Sequence, residues 1–278
     1  MIEGLGRYGV SLSVTDDLEA KAVAVEELGY SAIWVAGGQL ATLDPLLRIL
    51  RATTRVAVVP GIIPLDVHGP GEIAKLYAEA EGLAPGRLVV GIGGPQRLQI
   101  GAVAAVQRAM DELDAGTAVP RERRLLAALG PRKLDLARER FGGAVTLLTT
   151  PAYTAWARGR IRGGRTLVVD QMVVLDDDPQ SARAAAREPL GFLSTVGGYA
   201  AAFLRMGFDD RHIRELSDHL VDAVFAWGDV DAVVARLREQ TAAGADHVVM
   251  APVETAGGLG ELEIAERLAP SLRGQRRP

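Results

Sequence analysis

The chain of 278 residues is too long for one small module and too short for two average domains with a linker, since domains usually run about 100–200 residues. Hydrophobic residues make up 48% of it and aromatic residues only 5%, which favours helices that cover a parallel sheet of small aliphatic side chains. The net charge of −4 disfavours binding to nucleic acid or to anionic membranes, and the lack of cysteine excludes disulfides, thiolate metal sites and cysteine nucleophiles.

Short apolar runs alternate along the chain with segments of helical periodicity, which predicts βα units and a parallel sheet. Helices with recognisable ends are predicted at residues 18–28, 44–53, 70–83 and 131–140. Eight strands are predicted, at residues 8–12, 32–35, 56–59, 88–92, 125–129, 144–148, 167–175 and 247–251. Eight strands favour an α/β fold of the closed (β/α)8 TIM-barrel type over a doubly wound open sheet, and such barrels typically run ~250 residues.

A long gap separates the seventh and eighth predicted strands. Helical segments at residues 180–206, 210–227 and 229–243 fill this gap, which predicts a helical excursion between the two strands. We expect one domain over residues 1–272 and a frayed tail at 273–278. No charged start precedes a long apolar run, so we expect a cytoplasmic protein that does not bind membranes.

The chemistry of a TIM barrel lies in the loops that follow the carboxyl ends of the strands. Glycines clear three of the first four predicted strand ends: Gly37-Gly38, Gly61 within Pro60-Gly61-Ile62-Ile63-Pro64, and the glycines of Gly91-Ile92-Gly93-Gly94. Residues without Cβ let a flat ring approach the backbone, so the pattern suggests a broad slot for a planar aromatic cofactor. The alternative is that each glycine only makes a tight turn. Gly91–Gln96 resembles a dinucleotide fingerprint, but Gln96 replaces its third glycine.

Two further strand ends resemble anion sites. Gly130-Pro131 and Thr149-Thr150-Pro151 each precede a helix, and free N–H groups at a helix N-terminus can hold a phosphate. The alternative for Thr150 is a simple N-cap with Pro151 in the first turn. No nucleophile elbow, P-loop or zinc-protease motif is present, and the four histidines share no metal-ligand spacing, so no metal site is predicted.

Candidate acid–base groups are few. His68 lies in the loop after the third predicted strand, where it is the candidate proton donor, with a surface or helix N-terminal role as the alternative. Asp170-Gln171, inside the seventh predicted strand, and Asp218-His219, in the excursion, are interpreted as structural. Uncharged hydrogen-bonding groups near the rim fit orientation of a ligand better than catalysis: Gln39, Gln96 and Gln99.

Several stretches carry a family resemblance, in the family's order and over nearly the whole chain: residues 29–38, 86–93, 126–132, 150–158, 205–208, 217–223, 226–229 and 243–248. With these stretches the chain resembles the luciferase-like monooxygenases, and within them the coenzyme F420-dependent oxidoreductases of actinobacterial type. The resemblance implies a (β/α)8 barrel that binds a flavin or deazaflavin in its wide mouth. It also implies a homodimer that pairs through helices of the outer ring.

The resemblance assigns cofactor contacts to particular positions. Pro60-Gly61-Ile62 occupies the place of a bulge, often with a non-prolyl cis peptide, that backs the central ring in relatives. Gly93 and Gln99 occupy the place that touches the pyrimidine side, and Gly130 with Thr149-Thr150 the phosphate side. With Gly37 at the end of the second strand, these residues form the candidate cofactor site.

The leading functional hypothesis is an oxidoreductase that transfers a hydride between F420 and an unknown small organic substrate. One alternative is a monooxygenase that uses FMN, and F420 differs by an anionic tail for which Arg97, Arg158 and Arg160 are candidate partners. A second alternative is an inactive homologue that only binds the cofactor. Gly37-Gly38 motivates it, because many relatives carry an acidic residue or an Asp-His pair there, and Pro64 stands where close relatives tend to have Asn.

Overall fold

The computed structural model describes residues 2–95, 101–116, 119–162 and 164–273. Each of the eight predicted strands overlaps a strand of the structure, and every pairing between strands is parallel. The strands of the described chain are β1 (Tyr8–Leu12), β2 (Ala32–Ala36), β3 (Ala57–Gly61), β4 (Ile63–Pro64), β5 (Val90–Gly93), β6 (Arg124–Ala127), β7 (Gly143–Leu147), β8 (Thr166–Leu175), β9 (Ala226–Gly228) and β10 (His247–Pro252).

The strands form a nearly closed barrel in the order β3-β2-β1-β10-β8-β7-β6-β5-β4. β3 and β4 are two parts of one strand, broken at Ile62, and a bridge between Val58 and Leu88 joins β3 to the chain just before β5. This confirms the predicted TIM barrel. Neither β4 nor β9 was predicted as a strand: β4 has only two residues, and β9 forms because Ala226–Gly228 pairs with the end of β8, which overrides its local helical pattern.

Helices surround the barrel. In the described chain they are α1 (Leu18–Glu27), α2 (Asp44–Ala52), α3 (Pro70–Leu83), α4 (Ala102–Ala115), α5 (Pro131–Arg140), α6 (Pro151–Ile161), α7 (Pro179–Thr195), α8 (Tyr199–Arg205), α9 (Asp210–Glu215), α10 (Asp218–Val224), α11 (Val230–Ala242) and α12 (Glu261–Arg273). Their apolar faces pack on the outward side chains of the strands, for example Leu18 and Val25 of α1. No helix of these residues is long and apolar enough to cross a bilayer.

The predicted helical excursion between β8 and β10 is confirmed, with its own core around Leu190, Phe203 and Phe225. Side-chain oxygens cap four of its helices, α7, α9, α10 and α11: Asp178, Asp209, Ser217 and Asp229 each accept a backbone N–H from the first turn. The helix predicted over residues 180–206 is interrupted between α7 and α8, where Gly198 has a φ of 107°. α7 ends because Val196 is extended, and Gly198, in the left-handed conformation that suits glycine, directly precedes α8.

Candidate functional site

The inner face of the barrel follows from the alternation of side chains along each strand. Trp34, Val59, Val145, Val168 and Val249 belong to the buried cluster inside the barrel. The residues two positions further toward the carboxyl ends share that face but are only partly buried, so the barrel opens into a lumen at this end. They are mostly small or apolar: Ala36, Gly61, Ala127, Leu147, Asp170 and Ala251.

One wall of the lumen is a break in the third strand of the barrel. β3 ends at Gly61, and a non-prolyl cis peptide bond joins Gly61 to Ile62, as the family resemblance implied. Pro60 is buried within β3, whereas Gly61 and Ile62 are partly exposed to the lumen. The break therefore places the Ile62 side chain, and not a continuous strand, at this side of the mouth.

Glycines on the neighbouring strands make room for this break. A Cβ on Gly37 would lie 1.5 Å from the carbonyl oxygen of Ile62, and a Cβ on Gly93 would lie 2.0 Å from Ile62 Cδ1. By contrast, nothing lies within 4 Å of a Cβ built on Gly38. The predicted slot is thus partly filled by the protein itself: the Ile62 carbonyl occupies the space at Gly37, and the Ile62 side chain occupies the space at Gly93. Ile62 is partly buried and packs against the inner cluster of the barrel.

The floor of the lumen is a buried aromatic pair. Trp34 stacks on His247 with ring centroids 5.8 Å apart, and its Nε1 donates to His247 Nε2 over 3.1 Å. His247 Nδ1 lies 2.6 Å from the carbonyl oxygen of Gly6, so this nitrogen carries the proton. Burial lowers the pKa of His247 to about 4, which keeps the imidazole neutral near pH 7. Sequence reasoning missed this histidine, whose signal is a polar residue at the start of an apolar strand.

The predicted phosphate-side residues lie after two adjacent strands, β6 and β7, at the same end of the barrel. Gly130 is the N-cap of α5 and has open space beside its Cα. Thr149 is buried, and its carbonyl accepts a hydrogen bond from Gln240 over 2.8 Å. Thr150 caps α6, where its hydroxyl accepts the N–H of Tyr153 over 3.2 Å. The structure thus brings the three residues to one side of the mouth and shows Thr150 in an N-cap role.

A lysine that sequence reasoning missed faces this side of the mouth. Lys133 lies in the first turn of α5, and its Nζ is 3.5 Å from the position of a Cβ on Gly94, just beyond β5. Burial lowers its pKa, and no acidic residue of the described chain pairs with it. A cation in the first turn opposes the helix dipole, which is the sequence signal that marks Lys133 as a partner for an anion.

His68, the predicted proton donor, is buried at the start of α3. Its Nε2 lies 2.9 Å from the carbonyl oxygen of Leu40, which only accepts, so this nitrogen carries a proton. Its Nδ1 lies 3.3 Å from Glu72 Oε1. Both nitrogens therefore contact the protein, and these contacts hold the helix start against the loop after β2. A role for His68 as proton donor stays a prediction.

Two of the predicted cationic partners of a cofactor tail, Arg158 and Arg160, are paired with carboxylates of the protein itself. Arg158 pairs with Asp246, which also accepts the N–H of Leu167 near the start of β8, at the amino-terminal end of the barrel. Arg160 pairs with Asp135 of α5 at 2.6 Å. The other predicted rim groups fall outside the described part of the chain: the side chain of Gln39, and Gln96, Arg97 and Gln99.

The pair Asp170-Gln171 divides between two environments. Gln171 points out of the barrel, where its Nε2 donates to the Val224 carbonyl and its Oε1 accepts from Gln240. Asp170 points into the lumen, and its Oδ1 is buried with no hydrogen-bond partner among the described residues. Burial raises the pKa of Asp170 to about 7. The pKa of Tyr199 on α8 is also raised, first by burial and second by the charge of Asp170. The phenol of Tyr199 therefore lies near the Asp170 carboxyl.

Comparison with solved structures identifies the class of this barrel. The chain is similar to the coenzyme F420-dependent tetrahydromethanopterin reductase from Methanopyrus kandleri, with 17% identity, a TM-score of 0.76 and coverage of 95% of this chain and 97% of that one. It is also similar to an F420-dependent secondary alcohol dehydrogenase in complex with an F420-acetone adduct, with 13% identity, a TM-score of 0.75 and coverage of 97% and 99%. The fold is therefore a luciferase-like TIM barrel.

A monooxygenase shares this fold at a lower score. RslO1 from Streptomyces bottropensis matches with 17% identity, a TM-score of 0.62 and coverage of 95% of this chain and 96% of that one. Residues 5–105 match the family model described as luciferase-like monooxygenase. The comparison with curated proteins found no match. The family resemblance seen in the sequence is thus confirmed, in the family-model match and in the fold.

Proposed function

We propose that the protein is an oxidoreductase that transfers a hydride between a deazaflavin, coenzyme F420, and a small organic substrate. The main support is the mouth of the barrel, where Ile62 forms an apolar wall and the lumen face carries mostly small side chains. The two F420-dependent enzymes among the similar structures support it, since both have higher TM-scores than the monooxygenase RslO1.

The residues at the mouth fit such a cofactor. Ala36, Ala127 and Ala251 are small residues on the lumen face, and the partly exposed Ile62 offers an apolar side chain against which a planar ring can pack. Lys133 supplies a positive charge beside the open N-terminus at Gly130, where an anionic side chain of the cofactor would lie. Ring and anion would then meet matching surfaces on two sides of one mouth.

When bound, a reduced deazaflavin supplies a hydride, and the protein supplies position and surroundings. Ile62 would fix the plane of the ring from behind, and the apolar lumen would keep water from the reacting carbon. Gly130, Thr149, Thr150 and Lys133 would hold the phosphate side, through backbone N–H groups at two helix N-termini and one ammonium.

FMN is the alternative cofactor, since RslO1 is a monooxygenase of the same fold. Separate fluorescence titrations of the purified protein with F420 and with FMN distinguish the two. We expect F420 to bind and Lys133→Gln to weaken its binding by about 10-fold or more, because a hydrogen bond to a charged group contributes roughly 1.5–3 kcal/mol. Lys75→Gln, on the exposed face of α3, is the matched control. Tight binding of FMN without binding of F420 would overturn the proposal.

The second alternative, a homologue that binds the cofactor without catalysis, is tested by turnover. Oxidation of reduced F420 by any member of a panel of ketones, aldehydes and imines excludes it. Binding of F420 with no turnover on the panel favours it. A homodimer in the cytoplasm stays a prediction from the resemblance, and light scattering that finds only the 29.4 kDa chain would contradict the dimer.

A further inference from the structure

Asp170 is a carboxyl placed on an otherwise apolar part of the lumen. It pairs in register with Leu147, the last residue of β7, and with Val249 of β10, so it lies level with the rim of the barrel. Of the partly buried positions that open the lumen two residues beyond the inner cluster, it is the one that carries a charge. Its Oδ1 is buried without a hydrogen-bond partner in the described structure, although buried polar atoms are nearly always paired.

We propose that Asp170 is the proton donor of the site, which gives its carboxyl proton to the oxygen or nitrogen of the C=O or C=N bond that is reduced in the mouth. This inference rests on the proposed function and assigns a residue to it. Asp170 is partly exposed on the lumen face and one of its oxygens has no partner among the described residues, so the carboxyl is not fixed by the protein, whereas a structural aspartate of a strand is held by hydrogen bonds.

The step balances as follows for a ketone, aldehyde or imine. The substrate carbon gains a C–H bond by taking a hydride, with both electrons, from the reduced deazaflavin, which is thereby oxidised. The π electrons of the double bond move to the heteroatom, which takes the proton from Asp170. The product is an alcohol or an amine, and the Asp170 carboxylate then regains a proton from water.

The surroundings of Asp170 favour its protonated form and contain few other titratable groups. The adjacent strands contribute Leu147 and Val249, which carry no charge. From α8, Tyr199 is the titratable group that senses Asp170, and its raised pKa keeps the phenol neutral. Burial in apolar surroundings favours the neutral carboxyl, which is the form that donates.

The first test needs no cofactor. Infrared spectra of the wild-type protein are recorded from about pH 5 to about pH 9, each minus the wild-type spectrum at about pH 9, and the same series is recorded for Asp170→Asn; an ordinary aspartate stays ionised over this range. We expect the band of a protonated carboxylic acid that disappears with a midpoint near 7 and is absent from the variant. A carboxyl that is already ionised at the low end of the range would overturn the proposal. The wild-type band is independent of how the variant folds.

The second test measures turnover with F420 and the carbonyl and imine panel. We expect Asp170→Asn to bind F420 as the wild type does and to lose 10²- to 10⁴-fold in kcat/KM, roughly the contribution of general acid catalysis. The wild-type rate should fall as the pH rises through about 7, because the donor must be protonated, and the variant should lose this dependence. Asp231→Asn, at an exposed site on α11, is the matched control for loss of one carboxylate.

The remaining outcomes separate this inference from the proposed function. If the wild type turns over and Asp170→Asn keeps its rate, Asp170 is not the donor, and the proposed function stands. If His68→Gln removes the pH dependence and Asp170→Asn does not, the donor is His68. If the wild type does not bind F420, the proposed function fails and the role of Asp170 in it fails too.

Discussion

Gly37 and Gly38 offer a matched pair of substitutions at the wall of the mouth. They are consecutive residues of one short turn after β2, and neither has a left-handed φ. In Gly37→Ala the new Cβ lies 1.5 Å from the carbonyl oxygen of Ile62, whereas in Gly38→Ala it meets nothing within 4 Å. The same methyl group therefore collides with the backbone at one position and enters open space at the next.

The expected magnitude follows from these distances. Real Cβ atoms essentially never approach another heavy atom closer than 3.0 Å, so the Ile62 carbonyl has to move by 1.5 Å, the difference between 3.0 and 1.5 Å. A backbone atom has no rotamer by which to avoid the clash, so we expect a cost near the upper end of the roughly 1–3 kcal/mol seen for overpacking. At about 2–4 °C per kcal/mol for a large domain, Tm falls by about 6 °C or more. Gly38→Ala should leave Tm unchanged or raise it slightly.

The assay combines thermal unfolding with a titration of F420. If Ile62 backs the ring, Gly37→Ala should weaken cofactor binding by more than its loss of stability explains, since the protein remains folded at the temperature of the titration. Equal Tm values for the two variants would refute the clash. A lower Tm with unchanged affinity for F420 would show that the wall does not contact the cofactor.

Three further predictions concern buried polar groups. Burial raises the pKa of Glu26, but hydrogen bonds from backbone N–H groups and a hydroxyl outweigh it and lower the pKa from 4.5 to about 2, so Glu26→Gln should cost up to about 3 kcal/mol at pH 7. Urea titrations should show the wild type losing this stability as the pH falls from 4.5 toward 2, and the variant should show no such loss. Gln240→Leu should cost about 3 kcal/mol or more in the same assay, since it leaves the Thr149 carbonyl, the Thr154 hydroxyl and the Gln171 amide oxygen without this hydrogen-bond partner. A cost below about 1 kcal/mol would contradict the network. Neutral His247 should make the wild type less stable as the pH falls from 6.5 toward 4, and a protonated His247 in NMR spectra at pH 6 would contradict this.

The fold could be predicted because its signals are local and repeated. Each barrel strand is a short apolar run, and each is followed by a helix with a cap or a stop, so the alternation alone indicates a parallel barrel. The two strands that were missed, β4 and β9, depend on pairing with distant residues: Ile63–Pro64 pairs with β5, and Ala226–Gly228 pairs with β8. Segments of two or three residues have too little periodicity to reveal such pairing.

The site was harder to predict, because the role of a residue there depends on whether its side chain points into the barrel or out of it. Asp170 and Gln171 are neighbours in sequence, yet one faces the lumen and the other a buried network, and the sequence interpretation gave both the same structural role. The glycines were recognised as openings, but only the structure shows that Ile62 enters the space at Gly37 and Gly93. Lys133 was overlooked because a lysine near a helix start is usually a solvated residue.

The same distances bear on the alternative of an inactive homologue, which rested on the missing polar residues at Gly37-Gly38 and at Pro64. In this backbone no side chain of any kind fits at position 37, since even a Cβ meets the Ile62 carbonyl. Position 38 has room for a side chain but carries glycine, so a polar group for the reaction has to come from another part of the chain. β8 offers one, because Asp170 reaches the lumen at the level where β7 ends. The loss at position 37 is thus a consequence of how the wall is built, and it does not by itself argue against catalysis.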